Sequence, residues 1–291
     1  MFTKPIHTKL LYLAILIAVL FLPAYVPDRY MFQVVIMSFL FAIAASSMNL
    51  IMGYTGQASL AHGAFFGFGA YGVAIMTKAG ISFWIALPVS ALIAALIGFL
   101  IGLPTLRTRG SYFAIVTLCF GVIVWIVAGN WIELTGGHNG IFGIPRPTPI
   151  PIPFAGSIEF YSQTGQYYLA LVFLLLTIFV LHRIIYSVFG LSLMAVRNNE
   201  QLAESVGINI FTTKLISFVA ANFIAGMAGG IYASIIGAVS PSAASYLMTF
   251  NFLIYLILGG MATLAGPILG AFAIPVIMEW LQFMGEIGRA H

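Results

Sequence analysis

Nine apolar runs, each near the length that crosses a bilayer, occupy most of this sequence and dictate its architecture before any motif is read. They lie near Leu10 to Val26, Met31 to Met52, Ala64 to Thr77, Ile81 to Leu103, Ser111 to Ala128, Gln166 to Phe189, Phe211 to Gly237, Tyr246 to Leu258 and Pro267 to Met284. About 20 apolar residues in helical form span a hydrocarbon core of roughly 30 Å. Backbone groups in lipid must bond to one another, so the runs are read as helices. With 62% of residues hydrophobic and 6% charged, there is too little polar surface to cover a water-soluble globule, and an ordinary soluble enzyme is excluded. The expected fold is an all-α polytopic membrane protein, one domain over 1–291 with about nine transmembrane helices, the third and eighth short and Gly-flanked. Lys4, His7 and Lys9 precede the first run as they would in a signal peptide. Pro23, Tyr25 and Pro27 make no small-residue cleavage site, so that run is read as a retained helix.

The charges orient the chain. With the N-terminus in the cytoplasm, Lys4, Lys9, Arg107, Arg109, Arg183, Arg197 and Lys214 fall inside, while Arg29, Lys78, Arg146 and Arg289 fall outside. That bias obeys the positive-inside rule, and the reverse topology would invert it. It makes 129–165 an extracytoplasmic loop and 192–214 a cytoplasmic one. The net charge of +4 is scattered, without the clustering that nucleic acid binding needs. Cys119 is the single cysteine, so no intrachain disulfide forms. His7, His62, His138, His182 and His291 have no metal-ligand spacing, the seven acids do not pair across a site, and no GxxxxGK[ST] stretch is present. No metal, cofactor or ATP site is expected in this chain. Glu279 is the clearest acid within a run, with Asn222 and Asn251 as neutral polar company, a thin basis for an ion-coupled carrier.

Three segments depart from plain hydropathy. Gly53 to Gly72, GYTGQASLAHGAFFGFGAYG, holds six glycines with Gln57, Ser59 and His62 among them. Glycine disfavours a continuous helix, and backbone released at membrane depth survives only when buried in protein or lining a wet cavity. A broken helix at a transport path is one reading; tight helix packing through small residues is the other. The second segment, Ser192 to Lys214, is the most polar stretch. Asn198 or Asn199 can cap a two-turn helix, with Gln201 three residues after Asn198, and Gly207 is placed to end it. Leu202, Ala203 and Val206 share one face of that helix, and Glu200 and Glu204 stand four apart on another. Such a helix is marginal alone, so its apolar face is expected to dock, on a partner or on its own domain. The third, Leu258 to Gly270, is interrupted by Gly259, Gly260, Gly266 and Pro267. Paired broken segments in separate halves point to a site at a repeat interface, and a tight turn between two helices fits the same residues.

These segments resemble the membrane permease subunits of branched-chain amino acid ABC transporters, of the LivM/LivH type and closer to LivM, along nearly the whole chain. GYTGQASLAHGAFFGFGAY is similar to the family's Gly-Tyr-x-Gly-Gln-x-Ser-Leu-Gly-His signature, with Ala61 where the last glycine usually stands. AVRNNEQLAESVGIN resembles its version of the EAA coupling loop, with Glu200, Ala203 and Gly207 in the recognisable places, and Phe218 to Ala233 and Leu258 to Ala271 match too. The resemblance implies the ABC importer permease fold in a bacterial inner membrane and transport without enzyme chemistry in this chain. Its partners would be a second, LivH-like permease, two cytoplasmic ATP-binding subunits and an extracytoplasmic substrate-binding protein. It implies a translocation path at Gly53, Tyr54, Gly56, Gln57, Ser59, His62, Gly259, Gly260 and Gly266. ATPase coupling would fall to Arg197, Asn198, Asn199, Glu200, Leu202, Ala203, Glu204, Val206 and Gly207. The family usually carries one more span, closing with a Pro-Arg-Gly-Leu-like tail, whereas this sequence stops at EIGRAH after the ninth run, so the chain reads as shortened. The expected cargo is Leu, Ile, Val or a related small amino acid; a urea or short-chain amide permease on the same scaffold, an ion-coupled carrier or channel acting alone, and a scaffold protein without a path are the alternatives.

Overall fold

The computed structural model describes residues 19–23, 29–108, 110–152, 156–158 and 160–289. Most of the first apolar run lies outside them; its residues 19–23 are helical. The remaining runs fold as α1 (Arg29–Asn49, prolonged by a π-helical turn, Leu50–Tyr54), α2 (His62–Lys78), α3 (Phe83–Thr105), α4 (Ser111–Asn130) and α5 (Gln163–Ile185). Then follow α6 (Val188–Asn198), α7 (Glu200–Ser205), α8 (Ile210–Ile236), α9 (Tyr246–Gly259) and α10 (Gly266–Arg289). Five stretches, Tyr30–Tyr54, Phe83–Thr105, Ser111–Asn130, Gln163–Ile185 and Ile210–Ile236, are long and apolar enough to cross a membrane unaided. At 1.5 Å per residue, α2 and α9 reach only about 25 and 21 Å. Both are short because each starts after an irregular segment. The sixth run, read as one span to Phe189, is cut before α6, where Ser187 accepts a hydrogen bond from the Gly190 amide and caps a new helix.

Two small strand pairs, absent from the sequence reading, hold the connections together. β1 (Ile141–Phe142), after α4, pairs antiparallel with β4 (Ala238–Val239), after α8, setting Ile141 opposite Val239. β2 (Ile150–Ile152) and β3 (Gly156–Ile158) form a hairpin with Ile150 opposite Ile158.

The core is built on α8, which packs chiefly on α2 and α3. The contact is close enough for backbone to touch backbone: a Cβ on Gly69 would lie 1.8 Å from the Gly226 carbonyl oxygen, and one on Gly229 would lie 1.9 Å from that of Phe66. Without a hydrophobic force between helices in lipid, this closeness is the main source of attraction. Buried rings of Phe65, Phe113 and Phe218 fill the adjoining layer, Phe65 and Phe113 meeting Phe218 at 5.7 and 6.0 Å. The outer faces of α3 and α5, with Leu92, Leu96 and Leu100 and with Val172, Leu176 and Phe179, are exposed apolar surface suited to lipid.

Neither carbonyl at the α2–α8 contact can move without displacing a helix. Gly69→Ala and Gly229→Ala should each destabilise the protein by about 3 kcal/mol, the upper end of the overpacking range. A thermal unfolding midpoint in detergent equal to that of the wild type would show that the helices separate more easily than this packing allows.

Candidate translocation and coupling site

The first Gly-rich segment divides at His62. Before it, α1 widens into the π turn and unwinds, leaving residues 56–61 without regular structure; after it, Gly63, Gly67, Gly69 and Gly72 lie inside α2 and serve close packing. The segment is therefore a broken helix before His62 and a closely packed one after it. Released backbone groups find partners nearby. The Gln57 amide donates to the Ile51 carbonyl at 3.1 Å and the Ser59 amide to that of Gln57 at 2.9 Å. The Leu60 amide donates to Thr117 Oγ1 of α4 at 3.0 Å. Gly56 sits at φ +76°, in the left-handed region that favours glycine, and lies against the aliphatic stem of Arg197.

His62 opens α2 fully buried. Ser47 Oγ donates to the Ala44 carbonyl at 2.7 Å and is hydrogen-bonded to His62 Nε2, also 2.7 Å away. His62 Nδ1 and the hydroxyl of Ser59 are buried without a hydrogen-bond partner. The next amide, of Gly63, donates to Thr249 Oγ1 at 2.7 Å. Thr249 stands in the first turn of α9, itself capped by Ser245. The N-termini of α2 and α9 therefore meet inside the molecule.

The two Gly-broken segments also meet, through a residue the sequence reading did not single out. Asn49, at the end of α1, donates from Nδ2 to the Thr263 carbonyl at 2.7 Å and accepts the Ala262 amide on Oδ1 at 2.9 Å. Gly53 lies so close that a Cβ there would be 1.9 Å from Asn49 Oδ1. Ala262 takes φ +57°, uncommon for a residue with a side chain, which the two bonds hold in place. Beside it, Gly259 and Gly266 touch backbone to backbone where α9 crosses α10, in the turn that Asn49 bonds. The run SSMN, three polar residues within four in an apolar span, is the available signal for it.

In the polar loop, Asn198 ends α6 and Asn199 is the cap, its Oδ1 accepting the Leu202 amide at 3.0 Å. Gly207, at φ +87°, ends α7. The expected common face divides: Ala203 is buried on the chain's own domain, while Leu202 and Val206 are 64% and 69% exposed. Being small, Ala203 lets α7 lie close, and its neighbours then flank the contact. Glu204 is exposed, but Glu200 turns inward to Lys214 of α8, Oε1 to Nζ 2.7 Å. Lys214 is 3% exposed, and the pair borders a cavity of about 540 Å³ also lined by Arg107, Glu204 and Phe211. The side chain of Glu279 lies outside the described residues.

Residues 30–289 match the family described as the permease component of branched-chain amino acid transport systems. The chain is 32% identical to the high-affinity branched-chain amino acid transport system permease protein LivM of Salmonella typhimurium and, equally, to that of Escherichia coli, over 97% of its own length and 70% of theirs. It is 25% identical to a probable branched-chain amino acid transport permease protein LivH of Methanocaldococcus jannaschii, over 83% of this chain and 77% of that one. No solved structure matches.

Asn49→Leu should leave the Ala262 amide and Thr263 carbonyl unpaired and cost about 2 to 4 kcal/mol for two buried groups. The expected outcome is a lower unfolding midpoint together with faster protease cleavage at 260–265. Unchanged cleavage would mean the turn holds itself.

Proposed function

The chain belongs to the family of permease components of branched-chain amino acid transport systems, and from that premise we propose that it is the membrane subunit of an ATP-driven importer carrying Leu, Ile, Val or related small amino acids. The observation that supports this most is the break at 56–61, a non-helical segment leading into the N-terminus of α2, where Gly63 meets the first turn of α9, with unpartnered polar atoms at Ser59 and His62. Helix N-termini favour negative charge, and the unpartnered Ser59 hydroxyl can accept a hydrogen bond from an ammonium, so the surroundings suit a zwitterion. In this reading Gly53, Tyr54, Gly56, Gln57, Ser59 and His62 belong to the path, while Gly259, Gly260 and Gly266 shape the turn that Asn49 holds against it.

The distribution of basic residues supports an N-terminus in the cytoplasm. The break and α6 to α7 then share the cytoplasmic end. Leu202 and Val206, exposed on α7, would enter a groove of an ATP-binding subunit in the manner of a helix anchored by its apolar side chains. The exposed face of α4 and α9, including Ile115, Ile123, Leu247 and Ile254, would meet the second permease, and a soluble binding protein would deliver cargo from outside. Energy from separate ATPases accounts for a path built of hydroxyls, amides and an imidazole.

Reconstitution with the second permease, ATPases and binding protein should give ATP-dependent leucine uptake; uptake of urea in its place would move the cargo, and uptake by this chain alone under an ion gradient would overturn the reading. Gly56→Val forces a β-branched residue into a left-handed position beside Arg197. Uptake should be lost while the ATPases still bind, and normal uptake would remove the break from the path. Leu202→Asp with Val206→Asp should weaken ATPase binding by at least about tenfold in pull-down or ATP hydrolysis titrations.

A further inference from the structure

The helix α7 has six residues, too few to hold its own shape in water, and apart from its cap and the buried Ala203 it is attached by one charged contact. That contact is the bond between Glu200 Oε1 and Lys214 Nζ, 2.7 Å long, with the lysine 3% and the glutamate 30% exposed. From Lys214 the contacts lead on to the break. The Lys214 carbonyl accepts the hydroxyl of Ser217 at 2.8 Å. Ser217 has then used its hydrogen, so at 3.2 Å from Thr55 Oγ1 it is the acceptor. Thr55 shares its own hydrogen between Ser217 and the Leu50 carbonyl, 2.8 Å away in the π turn. Upstream of α7, Arg197 lies against Gly56. The short helix is thus joined to residues 50–56 on both sides.

We infer that the Glu200–Lys214 ion pair is the positioning link that makes α7 move as one body with the foot of α8, so that displacement of α7 reaches the broken segment through Ser217 and Thr55. This rests on the transport reading above, in which α7 meets the ATPase. The physical ground is that a buried ion pair adds little stability: replacing both partners by neutral side chains of similar size is often neutral or favourable, whereas removing one strands a buried charge. What the pair does supply is a fixed register between two elements that otherwise slide. Neither Lys214 nor Ser217 nor Thr55 needs to touch cargo or partner for this.

The same logic supplies the test, in the full complex with second permease, ATPases and binding protein in proteoliposomes. Glu200→Gln alone should assemble poorly because the buried Lys214 loses its partner. The double variant Glu200→Gln, Lys214→Met should regain assembly and thermal stability, yet move at least about fivefold less leucine per ATP hydrolysed. Lys214→Arg, which preserves the pair, should keep the wild-type ratio. A double variant with the wild-type ratio overturns the inference, since the pair would then only support folding. A double variant that does not assemble overturns it as well. Absence of ATP-dependent uptake by the wild-type complex would instead take down the transport reading, and the link with it. Thr55→Val should lower the same ratio without changing assembly; an unchanged ratio there would sever the proposed route at its last step.

Discussion

A backbone that leaves the helix inside a membrane protein must find every hydrogen bond it gives up, and the arrangement around residues 55–61 follows from that demand. In hydrocarbon each missing bond costs several kcal/mol. The side chains of Thr55, Thr117 and Thr249 each bond main-chain groups at or beside the break, and Asn49 does the same for the facing turn at 260–265. These four polar residues are thus accounted for first as substitutes for water. Ser59 Oγ and His62 Nδ1 are conspicuous because they are buried in the same place and bond nothing. Native interiors leave few such groups without a reason.

The break also sets the shape of the rest. Since α2 and α9 start at its edge, they are too short to bury much surface by length. The fold compensates in proximity: α8 meets α2 at glycines where backbone contacts backbone, and α9 meets α10 in the same way at Gly259 and Gly266. Two mechanical regimes result. Glycine contacts between rigid helices offer no intermediate geometry, because a small separation forfeits dispersion attraction that nothing in lipid replaces. Hydroxyl bonds around the break are individually worth about 1 kcal/mol net and can be exchanged for others.

Legibility from the sequence followed the range of the interaction concerned. Apart from the first run, most of which lies outside the described residues, the apolar runs were readable as helices, most of their ends to within about one turn, because apolar length is a local property. The broken character of Gly53 to His62 was readable because glycines stood among polar residues where a helix should continue. What could not be read was set by tertiary contact. Asn49 looks like any polar residue near a helix end until the turn at 260–265 arrives beside it. Glu200 and Glu204 are equivalent in the sequence, and only the approach of α8 turns one inward. Asn198 and Asn199 compete as caps on equal chemical terms; α6 extends through Asn198 and leaves Asn199 the cap. The strands β1 and β4 are two residues each, too short to show a period, and pair across nearly a hundred positions.

The placement of charge completes the argument about what can move. Lys214 is a cation buried at the foot of α8, whose glycines meet α2 backbone to backbone, and its counter-charge sits on α7, a helix of six residues. If rigidity alone were selected, an apolar pair would serve as well there, without the desolvation of two ions. A charged pair differs in being directional and discrete: the bond is made in one register and lost in the next, so α7 follows α8 or parts from it altogether. Joined by the hydroxyls of Ser217 and Thr55 to a segment whose own bonds are exchangeable, that contact puts the stiffest and the softest parts of the protein in series. Force applied at α7 then deforms the break before it separates α2 from α8.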